Sequence, residues 1–382
     1  MKAMDRIFTA CHGTQLLVIQ HLRRHLQRPP SREFLIWHPL DNNPSVDRFM
    51  QSIVSEAGFD GVLDIRHIES LRPRTRGPLT WWVESARRLR SDAGTLHVWM
   101  SANGIDEATA ELWADEPMHL NVILSRGLLQ RSVHVKIPHC FNFEDATAPY
   151  LKANVEAKWR KAPWAKKHIY YPWLRFASRV DMRLDRVVYE RAYTFASASP
   201  WCANSIDVSQ LISPDAFHKT YDGLPDAMRA DVEAIVGPIK AGSRPLVVLL
   251  LFGLAESSRT AYQRAIARIF SEHAAELQGC SLVVKWHPSA TGEQEPLLLE
   301  WLRANVPAQI HEIRHPLNLE FILPELRPDF VLAGLCGALP IVRDLHIGRP
   351  AMLRELMPKD PTTDWPGGPR SLAQFLQGIE IW

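Results

Sequence analysis

The chain has no long hydrophobic run: nothing in its 382 residues approaches the roughly 18–20 apolar residues a membrane helix needs. Its first residues, "MKAMDRIFTACHG", hold no extended apolar core and no cleavage-site pattern, so no signal peptide is expected. Cysteine is sparse. Cys11, Cys140, Cys202, Cys280 and Cys336 lie far apart and form no C-x-x-C pair. An odd, scattered set argues against a disulfide framework and against a zinc site, and it fits a reducing cytoplasm. Charge of one sign is also lacking. A formal net charge of +2 gives no global field to draw the molecule onto nucleic acid, so none is expected as a partner. There is no internal repeat and no low-complexity tract.

What is present points to two domains. The length exceeds one ordinary core, and 46% hydrophobic with 23% charged residues is the profile of a soluble globular protein. Short apolar runs alternate with helical patterns. "RIFTAC", "EFLIWHP", "GVLDIRHI", "TLHVWM" and "HLNVIL" read as strands, and "TQLLVIQHLRRHL", "SVDRFMQSIVSEAG" and "DEATAELWADE" as helices. After residue 243 the alternation resumes with "PLVVLLLFG", a helix capped by the serines of "SSRTAYQRAIARIF", "SLVVKW", "EPLLLEWLRAN", "AQIHEI", a short helix from about Leu319, "DFVLAG" and "GALPIVRDL". Such alternation predicts βαβ units and parallel sheets. The expected division is an N-terminal Rossmann-like domain over 1–203, a connector over 204–243 and a C-terminal Rossmann-like domain over 244–382. Residues 151–192 form a basic, aromatic, helical insert interrupted by Pro163 and Pro172.

In open α/β sheets ligands bind beyond the carboxyl ends of strands, and several chemically suggestive segments sit there. In "SLVVKWHPSA", Lys285 and His287 directly follow a buried strand and Pro288 stops it. An ammonium beside an imidazole can hold a phosphate, and the imidazole can protonate a leaving oxygen. An ordinary strand-end charge and a loop histidine account for the same letters. "FVLAGLCGALPIV" runs strand, small-residue turn, helix. Gly334 and Gly337 would let a ligand approach a helix start and its free N–H groups, or simply pack a tight turn. "LLLFGLAESS" places Gly253 and Glu256 in a similar turn. In "HCFNFEDATAPYL", Glu144 and Asp145 are adjacent acids, one of which can keep a raised pKa and act as a base. Both equally suit a helix start. In "HPLNLEFILPEL", Glu320 can accept the hydroxyls of a ribose or serve as a helix-start acid.

Together and in this order, these segments resemble the bacterial sialyltransferases and polysialyltransferases with GT-B folds, which use CMP-activated nonulosonic acids. That group carries an acidic D/E-D/E-G motif, then K-x-H-P, then a P-x-x-x-E-like segment, then a Ser pair at a helix start. The matching islands here are Glu144-Asp145, Lys285-Trp286-His287-Pro288, "PLNLEFILPEL" and "GLCGAL", and "FTACHGTQLLVIQHL" is similar to the group's first strand, loop and helix. The resemblance implies a GT-B fold, two Rossmann-like domains with parallel sheets facing a central cleft. It implies Asp145 as the general base, His287 at the CMP phosphate, Lys285 and Pro288 lining the cytidine side, and Glu320 on the ribose. Cys336 and Gly337 stand where the group has its Ser pair, and Ala146 where it has glycine. The first change removes hydroxyl donors from a phosphate site, leaving the backbone N–H groups and the helix end. Glu256 stands as a rival base.

The implied activity is inverting and metal-independent transfer from a CMP-sugar, with no cofactor, onto a glycan or glycolipid hydroxyl in lipopolysaccharide or capsule synthesis. A CDP-glycerol-type glycerophosphotransferase, which also carries K-x-H-P on a GT-B frame, is an alternative. So is a non-catalytic glycan- or nucleotide-binding relative. The basic, aromatic stretch from Lys158 to Arg179 suits an anionic acceptor or peripheral contact with the inner membrane surface. It equally suits a solvated helix face over core aromatics.

Overall fold

In a computed structural model of the chain, residues 4–10, 13–26, 32–37, 51, 54–55, 57–64, 78–106, 108–115, 139–143, 164–178, 189–194, 205–210, 226–242, 245–251, 256–286, 292–314, 319–359 and 368–382 are described. The chain divides into two compact units, Met1–Asn42 with Val54–Ile212, and Asn43–Ile53 with Ser213–Trp382.

The sheet of the first unit contains β1 (Arg6–Ala10), β2 (Glu33–Trp37), β3 (Gly61–Asp64), β4 (Glu111–Asp115), β5 (His139–Phe143), β6 (Tyr189–Thr194) and β7 (Ser205–Gln210), in the order β3-β2-β1-β4-β5-β6-β7. Its described helices are α1 (Gly13–His25), α2 (Pro78–Ala102) and α3 (Tyr171–Ser178), the last entered through a π-helical turn, Lys166–Tyr170. The sheet of the second unit contains β8 (Leu246–Leu251), β9 (Ser281–Trp286), β10 (Gln309–Ile313), β11 (Phe330–Ala333), β12 (Arg349–Met352) and β13 (Glu380–Ile381), in the order β10-β9-β8-β11-β12-β13. Around it lie α4 (Asp226–Lys240), α5 (Glu256–Glu272), α6 (Gln294–Asn305), α7 (Leu319–Leu326), α8 (Ala338–Asp344), a 3-10 turn at Arg354–Leu356, and α9 (Gly368–Leu376). Every described strand pair is parallel. Both sheets therefore start in the middle, grow outward to one side, and then cross over to the other, the doubly wound pattern.

The central strands are buried on both faces, which is why they read as unbroken apolar runs. In β8 all six residues are buried, as are all six of β9 and all five of β1. Tyr262, Ala265, Ile266 and Ile269 of α5 recur at helical spacing and join Leu298, Leu299 and Leu302 of α6 and the even face of β9 in one core. The turn into β12 needs its glycine: Gly348 has φ +85, and a Cβ there would lie 2.4 Å from the carbonyl oxygen of Pro328.

Several expected elements differ. "TLHVWM" lies at the end of α2, not in a strand. Leu96 and Met100 are buried four residues apart while Val98 is exposed, and tertiary packing on a helical face overrides the β-favouring side chains. "DEATAELWADE", expected as a helix, contains strand β4. The stretch 204–243, expected as a connector, contains β7 and α4: alternating Ile206 and Val208 suit a strand, and the buried residues Met228, Val232, Val236 and Ile239 follow a helical repeat. The serines expected to cap α5 stand inside its first turn, since the helix starts at Glu256. "HLNVIL", "SVDRFMQSIVSEAG" over most of its length, and Pro163 lie outside the described residues.

Candidate functional site

The order β9-β8-β11 places the reversal of the second sheet between β8 and β11. That is where a ligand crevice opens at the carboxyl ends of a doubly wound sheet. Three of the chemically suggestive segments leave these neighbouring strands. Leu250 is in register with Lys285 of β9 on one side and with Ala333 of β11 on the other. Gly253 follows β8 by two residues, His287 and Pro288 follow β9 directly, and Cys336 and Gly337 follow β11 by three and four residues. Glu320 is the second residue of α7, whose helix follows the edge strand β10.

Gly253, His287 and Pro288 lie outside the described residues, as do Glu144, Asp145 and Ala146, which follow β5. The side chains of Glu320 and Glu256 are likewise outside them.

Lys285 is only 4% exposed, and its Nζ donates to the carbonyl oxygen of Trp286 at 2.8 Å. A buried ammonium is tolerated only with hydrogen-bond acceptors around it. The tryptophan between the lysine and the histidine has a structural role. Trp286 belongs to the core, its indole N–H donates to Glu312 Oε1 at 2.7 Å, and Arg314 pairs with the same carboxylate oxygen while lying 5.3 Å from the ring centre. The strand end is thereby held in one orientation by contacts from the next strand.

At the turn after β11, Gly334 packs closely against a side chain, one of the two readings open to it: a Cβ there would meet Leu356 Cδ1 at 3.1 Å. The start of α8 also has fewer uncommitted N–H groups than a bare helix end. Ala338 N–H donates to the buried Cys336 sulfur at 3.3 Å, and Leu339 N–H donates to the Cys336 carbonyl at 3.2 Å. The thiol thus accepts a local N–H at the first residue of α8, whose N-cap, Gly337, makes no side-chain cap bond. Gly337 has φ −66, a conformation any residue adopts.

Two residues that the sequence did not single out lie on the helices that follow β8 and β9. Tyr262 of α5 is buried and its hydroxyl donates to Leu250 O at 3.4 Å, where β8 meets both neighbours. Glu295, in the first turn of α6, is 2% exposed, and its Oε2 accepts no hydrogen bond from the protein. Gln294 beside it leaves Oε1 equally unsatisfied. Buried oxygens without donors carry a desolvation cost that a ligand hydroxyl or amine can relieve. Glu295 comes ten residues after Lys285 on the helix that follows β9, and no motif at the level of sequence signals its burial. Further from the switch point, Arg268 of α5 grips Glu355 of the 3-10 turn at 2.7 and 3.0 Å. That hydrogen bond holds the Glu355 carboxyl below its usual range and ties α5 to the segment carrying Leu356. The Cys280 thiol, pushed up to about 11 by burial, stays neutral.

Strand order and helix placement define a GT-B fold, two parallel-sheet α/β units in one chain. Among solved structures, the chain is similar to an α/β-galactoside α-2,3-sialyltransferase from the luminous marine bacterium Photobacterium phosphoreum, with TM-score 0.55 and 9% identity over 100% of this chain and 99% of that one. It is also similar to the GT-B domain of a sialyltransferase from Photobacterium damselae, with TM-score 0.51 and 11% identity over 99% and 100%. TcCGT1 in complex with UDP matches with TM-score 0.53 and 11% identity over 100% and 86%. No family model matches the chain, and no curated protein matches it in sequence.

Proposed function

We propose that the chain is a glycosyltransferase that moves sialic acid or a related nonulosonic acid from its CMP donor to a hydroxyl of a glycan or glycolipid. The observation that carries this reading is topological. Lys285, with the residues that follow it in K-x-H-P, and the Cys336–Gly337 turn leave β9 and β11, the two strands that flank β8, at the carboxyl end of the second sheet where its strand order reverses and this fold class takes its ligand. The GT-B neighbours described above support the frame, and the order of the sequence motifs supports the donor.

In this reading Asp145 takes the proton of the acceptor hydroxyl. The oxygen attacks the anomeric carbon as the bond to the phosphate oxygen breaks, and the configuration inverts. CMP leaves with its charge met by Lys285 and by His287, which donates to the departing oxygen. Pro288 and Gly253 shape the nucleotide side, Glu320 accepts from the ribose, and the backbone at Cys336–Gly337 borders the phosphate. No metal and no further cofactor takes part. The work would be done in the cytoplasm, in lipopolysaccharide or capsule synthesis.

Thermal unfolding with CMP, CDP, UDP and GDP tests the donor. A ligand bound to the folded state alone adds about 2.7 kcal/mol at a hundredfold excess over Kd, so cytidine nucleotides should raise the midpoint. A rise with UDP or GDP and none with CMP or CDP would remove the CMP donor. Asp145→Asn should abolish transfer while leaving the CMP-induced shift intact, and unchanged turnover in that variant would remove the assigned base.

A further inference from the structure

The first unit carries a surface that neither the fold nor the nucleotide site uses. Across the π-turn and α3, Trp164 is 68% exposed and Phe176 85%, and Ile169 is exposed as well. Pro172, between them, is also exposed. A π-turn closes its hydrogen bonds at i+5, so Trp164 and Ile169, five apart, fall on one side of it. Pro172 and Phe176 then follow Ile169 at i+3 and i+7 in the helix that continues, which keeps all four in one stripe. The covered side is the adjacent one: Tyr170 is buried, Trp173 and Ala177 are half-buried at i+3 and i+7 from it, and α3 packs on α2. The helix is thus apolar on two neighbouring stripes and buries only one.

Scattered exposed apolar residues are ordinary, but an aromatic, contiguous stripe is not. Its surroundings are one-sided in charge. From residue 157 to residue 180 the sequence has seven Lys and Arg residues and no Asp or Glu. With a chain total of only +2, the remainder is net acidic, so the positive charge is concentrated on the segment that exposes the aromatics. Exposed Trp and Phe amid cations are the composition of an interfacial helix, with rings at the acyl boundary and cations at the headgroups. No described helix is long and apolar enough to cross a membrane.

We infer that this face, Trp164, Ile169 and Phe176 on a segment whose sequence is rich in Lys and Arg, docks the protein on a bilayer surface rich in anionic lipid. The helix lies in the plane of the interface. The inference stands independently of the donor assignment, because it rests on the first unit alone.

Flotation of the full chain with lipid vesicles tests it. Vesicles of phosphatidylcholine plus phosphatidylglycerol should bind the protein about tenfold or more tightly than phosphatidylcholine alone, and high salt should release it. The double substitution Trp164→Ala, Phe176→Ser should weaken that binding at least about tenfold. Its thermal midpoint and its response to CMP should stay unchanged, since the rings are exposed. Lys166→Glu with Lys167→Glu should lose the preference for anionic lipid. Equal partition onto neutral and anionic vesicles, or none onto either, overturns the inference. So does binding that survives loss of both aromatics, or a soluble polyanion that competes whether or not the aromatics are present. A concentration-dependent dimer abolished by Phe176→Ser would assign the stripe to a second copy instead.

Discussion

Two buried glutamates, one in each unit, meet opposite fates. Glu111 opens β4 at the amino edge of the first sheet, and its Oε2 accepts from Arg6 Nε at 3.0 Å and from the Trp113 indole at 2.9 Å. Arg6 also lies 3.8 Å from Glu33, which Arg23 of α1 holds at 2.5 Å. Glu295 opens α6, just after the carboxyl edge of the second sheet, and its Oε2 has no donor. Both side chains are withdrawn from water. The first belongs to an ionic cluster in which the protein itself supplies both donors to its Oε2, and it is explained by the fold. The second is not, and it stands at the end of the sheet where this fold class binds ligands. Satisfaction of a buried carboxylate, more than its burial, separates a structural group from a waiting one.

The widest separation between the two should come from Glu111→Leu. The substitution leaves the Arg6 guanidinium, itself only 5% exposed, in the interior without its nearest counter-charge. Breaking one partner from a buried pair costs about 3–5 kcal/mol, so the denaturation midpoint of the first unit should fall sharply. A loss under about 1 kcal/mol would place the cluster among surface-like pairs.

Glu295→Gln should move stability the other way or not at all. The change replaces a buried carboxyl group, one oxygen of which has no donor in the protein, by a neutral amide, which costs less to bury than a carboxylate. The same substitution should weaken CMP binding about tenfold if the oxygen meets a ligand donor, since a hydrogen bond to a charged group contributes about 1.5–3 kcal/mol. A marked drop in the unfolding midpoint together with unchanged CMP affinity would make Glu295 a structural residue like Glu111 and dissolve the contrast.

The amino-edge cluster was illegible in the sequence because its members are far apart: Arg6 and Glu111 are 105 residues distant. Without that partner in view, the apolar spacing of "DEATAELWADE" suggests a helix, whereas its residues Glu111–Asp115 form a strand with Glu111 buried against Arg6 and Trp113. By contrast β8, β9 and β11 were legible because parallel strands buried on both faces announce themselves as short apolar runs ended by Gly or Pro. The segments at their ends could be placed for the same reason. What those segments do locally was not legible. That Gly334 clears space for Leu356, and that Trp286 hydrogen-bonds Glu312, depend on contacts from other elements. β13 was missed because a two-residue strand, Glu380–Ile381, has no period to read.

The smallest expected effect concerns the turn after β11, where the comparison can be run within one residue. Cys336 accepts the Ala338 N–H through sulfur, a weak acceptor, in a position where a hydroxyl would accept more strongly. Cys336→Ala leaves that N–H without its acceptor, and loss of one such hydrogen bond costs about 1 kcal/mol. Cys336→Ser restores an oxygen acceptor and should recover that loss in a thermal scan. If the turn also borders the phosphate, the serine variant supplies a hydroxyl donor besides, and CMP should bind it more tightly than it binds the parent chain. Equal CMP affinity in the alanine, serine and parent chains would confine Cys336 to that local hydrogen bond, on the same footing as Glu111: a polar group whose hydrogen bonding ends inside the protein.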